Sequence, residues 1–282
     1  TIKVNAIEST SSGGVAAKIA SINDGALSNR NLLNNSSFEV WQRGTAFSSA
    51  TTGGNRYTAD RWSVPRRTRA AQSTDVPAGF KYALLLDREQ TGGAEPFTVS
   101  QGIEKDNIRF TGSYTLSFYA KSSDISTVNI NVQDRTTVSE GGTNHSSIVT
   151  NQAVSITSSW ARYTHTFTLS STALTGTCLR ISIGNTSASQ HDELLLTGIQ
   201  LETGTIATDI EKKSYGDELA ICQRYYEVHY QSTGTASMYS TGDSTIKFSH
   251  TWYYHQCKRA NPTISIINSG AFHASSGGAI TL

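Results

Sequence analysis

Asp60, Asp87, Asp124, Asp134 and Glu140 are the acids that could do bond-breaking chemistry in this chain. Cleaving a glycosidic bond takes two carboxyl groups roughly 5–10 Å apart, one to protonate the leaving oxygen and one to act as nucleophile or base. Nothing in the sequence pairs any two of these five. Asp60 stands beside Arg61, as expected of a structural ion pair or turn cap. The seven histidines are scattered, without HExxH, GxSxG or a Cys–His pattern. A depolymerase acting on surface polysaccharide stays open as one reading, because its acids need no local motif. No catalytic residue is assigned, and a non-enzymatic chain is expected.

Binding chemistry is better represented. A flat aromatic ring offers a stacking platform for the apolar face of a sugar. Tyr57 and Tyr119 are the candidates for an exposed platform, whereas Trp41, Trp62 and Trp160 are expected in the core, since a Trp buries a large area. Arg66, Arg67 and Arg69 follow Pro65. They suit bidentate recognition of phosphate on a surface polymer, or they are solvated charges that keep a strand edge from pairing. Tyr225, Tyr226, Tyr230, Trp252, Tyr253 and Tyr254 concentrate aromatics late in the chain. A subunit interface is their expected role, with a small core or a ligand surface as alternatives.

Composition narrows the classes. Of the 282 residues, 37% are apolar and only 16% charged, against about a quarter charged in an average domain. Ser, Thr, Asn, Gln and Gly supply the polarity, so the surface hydrogen-bonds without strong fields. A net charge of +1 gives no long-range attraction for nucleic acid or membrane, and no basic stripe is interleaved with aromatics. No apolar run approaches the roughly 18 residues of a membrane span. Cys178, Cys222 and Cys257 are odd in number and widely spaced, which encodes neither a disulfide framework nor a zinc site. They are expected to be free, buried thiols formed in a reducing cytoplasm.

The elements that must position these groups fall into three zones. Residues 1–28 hold a few apolar positions and a Ser/Gly interruption, and cannot bury a core alone; they read as an extended arm clasped by a partner. Residues 29–213 carry one period-2 stripe after another: Phe80, Tyr82, Leu84 and Leu86; Tyr114, Leu116, Phe118 and Ala120; Val128, Ile130 and Val132; Ala161 through Leu169; Leu179, Ile181 and Ile183; then Leu195, Ile199 and Leu201. Such alternation marks half-buried antiparallel strands, and many of them separated by Gly/Ser/Asn turns predict a two-sheet sandwich. Residues 214–282 open on Ser214 with Asp217 three positions later, which predicts a capped helix over 215–225. Strands are expected after it, over 227–231, 237–241, 245–254 and 263–268, forming a small C-terminal β unit. The closing residues carry no terminal element, so a continuation of the chain is expected.

Three stretches carry a resemblance. The first reads Asn31-Leu32-Leu33-Asn34-Asn35-Ser36-Ser37-Phe38-Glu39-Val40-Trp41-Gln42-Arg43-Gly44, then Tyr57-Thr58-Ala59-Asp60-Arg61-Trp62. The second reads Thr197-Gly198-Ile199-Gln200-Leu201-Glu202-Thr203-Gly204-Thr205-Ile206-Ala207-Thr208-Asp209-Ile210-Glu211, followed by Glu218-Leu219-Ala220-Ile221-Cys222-Gln223-Arg224-Tyr225-Tyr226. The third is Gln256-Cys257-Lys258-Arg259-Ala260-Asn261-Pro262-Thr263. Together, over roughly residues 29–268, they resemble bacteriophage tail-fibre and tail-tip proteins that carry a jelly roll similar to carbohydrate-binding modules.

The resemblance implies an all-β jelly-roll sandwich, a homotrimer, and a virion location after assembly in the bacterial host cytoplasm. Residues 1–28 would then contact other virion proteins, and the outer surface would adhere to a host-surface glycan or protein. A capsid-decorating or tail-adaptor protein without receptor binding is the alternative. Modules of this kind often hold a structural calcium. Glu39 is the matching first ligand, but the last strand has no Asp where the pattern places one, and Asp192 lies several residues upstream. A salt bridge from Glu39 to Arg43 or Arg61 is the competing expectation. No other cofactor is implied.

Overall fold

The computed structural model describes residues 29–50, 53–89, 97–108, 111–137, 144–170, 174–185, 189–228 and 253–264. The expected arm over 1–28 and strand 237–241 lie outside the described residues, as do Glu140, Tyr230 and Trp252 and most of the other late strands. The described ends of those strands, at Glu227, Val228, Tyr253, Tyr254, Thr263 and Ile264, make no ladder.

Alternation produces the body of the molecule. Its short opening strands are β1 (Ala46–Phe47), β2 (Asn55–Tyr57), β3 (Ser63–Pro65) and β4 (Arg69–Ser73). Then come β5 (Ala83–Asp87), β6 (Phe97–Glu104), β7 (Gly112–Lys121) and β8 (Thr127–Arg135). The last four are β9 (Asn144–Ser155), β10 (Ala161–Leu169), β11 (Cys178–Asn185) and β12 (Glu193–Thr203). They form two six-stranded sheets in the orders β1-β4-β5-β12-β7-β10 and β2-β3-β6-β11-β8-β9. Every neighbouring pair is antiparallel. The fold is an all-β jelly-roll sandwich with one short helix.

The core lies between the sheets. Leu116, Phe118 and Ala120 of β7 face Val128, Ile130 and Val132 of β8 and Leu179, Ile181 and Ile183 of β11, all fully buried. Each large side chain so buried contributes about 1.5–3 kcal/mol. Trp62 is fully buried on Phe38, with ring centroids 5.3 Å apart.

Two stripes and one tryptophan differ from the sequence reading. In β12 the buried set is Leu194, Leu196, Ile199 and Leu201, not Leu195. A bulge between Thr197 and Gln200, with Gly198 at φ +58°, adds one residue and flips the phase. Phe80 and Tyr82 precede β5, and Phe80 packs on Tyr119 rather than with Leu84 and Leu86. Trp160 is not core: its indole N–H donates to Asp75 at 2.9 Å, and the Lys121 ammonium lies 5.8 Å from its ring.

Besides the short strands β1 to β4, the longer β6 and β9 have no counterpart among the stripes. In β6 the buried Gln101 interrupts the apolar run and bonds both backbone groups of Asn34. Strand β9 is almost entirely polar and exposed; it hangs on the edge by its ladder to β8, with register shifts that disfavour further pairing.

The helix α1 (Tyr215–Gln223) forms where its cap predicts. Ser214 Oγ accepts the Asp217 N–H and itself donates to the Asp217 carboxylate. Cys178 and Cys222 are buried as expected, but Cys257 is exposed because its segment runs over the surface. No helix among the described residues is long and apolar enough to cross a membrane.

Candidate functional site

Residues 31–62 form a knot centred on two asparagines. Asn31 accepts from the N–H groups of Leu33 and Leu201 and donates to Ile199 O. Asn35, held at φ +52°, accepts from the N–H groups of Glu39 and Val40 and donates to the carbonyls of Val40 and Asp60. Its own N–H reaches the buried carboxylate of Glu218 on α1 at 2.7 Å, and its carbonyl receives the Trp62 indole N–H. Burial pushes the Glu218 carboxyl up, against the hydrogen bond from Asn35. The knot thus ties the opening loop, the 57–62 turn and α1 together.

Above it lies a cleft of about 230 Å³. One wall is the sandwich, with Arg43, Tyr57, Asp60 and Arg61; the other is the end of α1 with residues 258–263. Asp60 is 1% exposed. Its carboxylate accepts the Gln42 N–H at 2.6 Å, the Gln42 side-chain amide and the Arg43 guanidinium at 3.0 Å. Burial pushes its carboxyl up, while Gln42 and Arg43 oppose the shift. Arg43 also stacks on Tyr226, its central carbon 3.4 Å from the ring centroid, with Tyr57 5.4 Å away on another side.

Arg61 occupies the left-handed region at φ +71°. The Ala59 carbonyl accepts the Trp62 N–H, closing a tight turn. From there the guanidinium donates to Gly102 O at 2.7 Å and lies 3.5 Å above the Tyr225 ring. The far wall is held by backbone: Arg259 N–H donates to Arg224 O at 3.1 Å, and the Lys258 ammonium donates to Gln223 O. Lys258 also meets Glu227, and Arg259 lies 3.4 Å from Glu104.

Of the residues singled out in the sequence, the cleft brings together Tyr57, Tyr225 and Tyr226. Tyr225 and Tyr226 are half-buried within their own chain, whereas Tyr253 is 82% exposed and Tyr254 lies beside Lys258. Tyr119 does face away from the core, but the Phe80 ring packs against it in a tilted contact, with centroids 5.2 Å apart. Arg66, Arg67 and Arg69 do not gather on one anion. They span the corner where the chain leaves the second sheet for the first, and Arg69 is taken by Asp87 at 3.3 Å and Glu89 at 3.5 Å. The cations that do gather, Arg43, Arg61, Arg224, Lys258 and Arg259, carried no sequence signal beyond lying within the three resembling stretches.

The expected calcium ligands do not fit a metal. Asp192 sits at the start of β12, whereas Ser36, next to the Glu39 loop, bonds to Ile199 seven residues on, a strand length on the order of 20 Å. Glu39 shares its niche with Lys212 and Lys213. Among the described residues no three His, Cys, Asp or Glu side chains gather to hold an ion, and calcium needs about six or more oxygens. The salt bridge expected of Glu39 goes elsewhere: Arg43 pairs with Asp60 and Arg61 stacks on Tyr225.

The stretch from Thr197 to Glu211 is a lacing element rather than a site. The buried Glu202 carboxylate accepts both the N–H and hydroxyl of Thr208 and the Gln200 amide, and Arg162 bridges Ser117 and Thr208 O. This binds the 203–211 loop across the outer face of the first sheet.

No protein-family profile and no curated protein matches the sequence. Similar solved structures include carbohydrate-binding modules, a putative sugar-binding protein and part of a phage tailspike. The CBM22-1 xylan-binding domain of Paenibacillus barcinonensis Xyn10C is similar at 16% identity and TM-score 0.39, over 66% of this chain and 100% of that one. TmCBM61, solved with β-1,4-galactotriose, is similar at 16% identity and TM-score 0.34, over 61% and 98%. The enzymatically active domain of bacteriophage CBA120 tailspike protein 4 is similar at 14% identity and TM-score 0.38, over 62% of this chain and 21% of that one.

Proposed function

We propose that this chain is a non-catalytic adhesin of a phage virion, of tail-fibre or tail-tip type, that holds a host-surface glycan in the cleft between the sandwich and α1. The observation that carries the reading is the cleft itself. Three tyrosine rings and several hydrogen-bond donors converge there, which is the chemistry a hydroxylated ring with an apolar face requires. All three stretches that resemble phage tail proteins contribute to its walls, so the resemblance and the geometry point to one place. Among the described residues the lining holds a single carboxylate, Asp60, and Arg43 and Gln42 occupy it. Two-carboxylate hydrolysis needs a partner acid, which supports binding without cleavage. Several copies on one particle would compensate for weak single sites by raising effective concentration; a homotrimer anchored through residues 1–28 is part of the proposal.

The test is retention of the purified chain on immobilised bacterial-surface polysaccharides, with reducing ends assayed in the same wells and oligomer mass measured by light scattering. Retention without release of reducing ends is the expected result. Release would make the chain a depolymerase, and no retention on any glycan would remove the adhesion reading. Antibody decoration of the head rather than the tail of intact particles would favour a capsid-decorating role.

A further inference from the structure

Resting on that adhesion reading, we infer that the cleft selects an anionic sugar, a hydroxylated ring carrying a carboxylate or a phosphate. The lining places five cationic side chains against one carboxylate. Three of the cations are matched: Arg43 by Asp60, Arg259 by Glu104 and Lys258 by Glu227. Arg61 and Arg224 have no carboxylate partner among the described residues. Arg61 is only 6% exposed: its guanidinium donates to Gly102 O and lines the cleft, while its Nε–H is enclosed in the interior without an acceptor. A guanidinium that lines a cleft without a carboxylate beside it is paired by an anionic oxygen, which takes its donors in short, charge-assisted bonds.

The backbone argues in the same direction. At φ +71° a glycine would sit without strain, and an arginine sits against it. Of the six described non-glycine residues at positive φ, Arg61 is the one whose side chain lines the cleft. Arg224 is exposed at the rim, and its carbonyl is fixed by Arg259, so a second guanidinium stands at the entrance. Asp60, the only lining carboxylate among the described residues, is already paired with Arg43, and its burial favours the uncharged form. The volume, about 230 Å³, is below the roughly 300–1,000 Å³ of sites for drug-sized ligands and suits a single sugar unit. The tyrosines give its C–H face a surface to lie on.

The experiment titrates D-glucose, D-glucuronate, glucose 1-phosphate and inorganic phosphate into the full chain, followed by ligand-observed NMR. Glucuronate or glucose 1-phosphate should bind at least about tenfold more tightly than glucose, and the tighter of the two assigns carboxylate or phosphate as the recognised group. Arg61→Gly relieves the backbone while deleting the guanidinium, and should weaken the acidic sugar about tenfold. Arg224→Gln alters only an exposed rim residue and should act likewise, so it carries the test if the first variant fails to fold. Glucose binding as well as the acidic sugars, or acid binding unchanged in both variants, overturns the inference and leaves glycan adhesion standing. Inorganic phosphate binding that depends on Arg224, with no sugar bound, keeps the anion site and removes glycan adhesion. Silence from all four ligands overturns the site.

Discussion

Arg61 lies face-on over Tyr225, its guanidinium carbon 3.5 Å from the ring centroid, and Arg43 repeats the contact on Tyr226 at 3.4 Å. The pairs join the opening loop and the turn between β2 and β3 to residues beyond α1, with most of the sandwich between them in sequence. A partly desolvated cation–π contact is worth about 0.5–2 kcal/mol. Tyr225→Leu keeps an apolar body and loses the ring. It should speed amide exchange in α1 several-fold while leaving β7 and β11 unchanged, measured by hydrogen–deuterium exchange. Unchanged exchange in α1 would mean that the stack contributes nothing.

Thr208 supplies both the N–H and the hydroxyl that satisfy the buried Glu202 carboxylate. Thr208→Val is close to isosteric but leaves a carboxylate oxygen unpaired in the interior. The expected loss is about 1–3 kcal/mol of unfolding free energy in urea, with an unchanged slope. An identical midpoint would show that water replaces the hydroxyl without cost.

Gly198 makes the bulge that resets β12. A Cβ there would stand 2.7 Å from the Phe80 ring, and φ is +58°. Gly198→Ala should cost about 1–2 kcal/mol from the left-handed backbone alone. A melting temperature lowered by several degrees, together with shifted Phe80 and Tyr119 resonances, is the expected outcome. A variant as stable as the parent would show that β12 re-registers freely.

Glu227 fixes the pH response of the far wall of the cleft. Burial on its own pushes its carboxyl up, but Lys258 and His255 outweigh that and hold it down at about 2, from an ordinary 4.5. A carboxyl lowered on folding stabilises the folded form above its unfolded value and loses that contribution as it is protonated. Docking of residues 253–264 should therefore hold above about pH 4.5 and weaken between about pH 4.5 and 2. Limited proteolysis with pepsin across that window reads it out. Equal cleavage of this segment at pH 4.5 and pH 2.5 would contradict the assignment.

The sandwich was legible because its stripes are local. Tyr114 to Ala120, Val128 to Val132 and Leu179 to Ile183 alternate without interruption, and all reach the core. Where a residue broke the period, the reading slipped. Gly198 shifted β12 by one, Gln101 hid β6, and the polar β9 carried no stripe to find. Tyr57 was visible as a stacking platform and Tyr225 and Tyr226 as aromatics expected at a subunit interface, but their common address in one cleft was not. Asp60 was read as an ion pair beside Arg61. Its partner is Arg43, because the left-handed backbone at Arg61 directs that side chain to Gly102 and Tyr225 instead.

By itself the sequence determined the sheet-forming strands, the inward face of most of them, and the helix with its Ser214 cap. Those depend on a two-residue period or on bonds spanning one turn, which neighbours in sequence enforce. Only the tertiary structure decided that Arg43, Arg61, Tyr225 and Arg259 share a cleft, and that Glu39 and Asp192 do not share a metal. Such meetings are set by strand order and by the knot around Asn35, whose partners lie far apart along the chain.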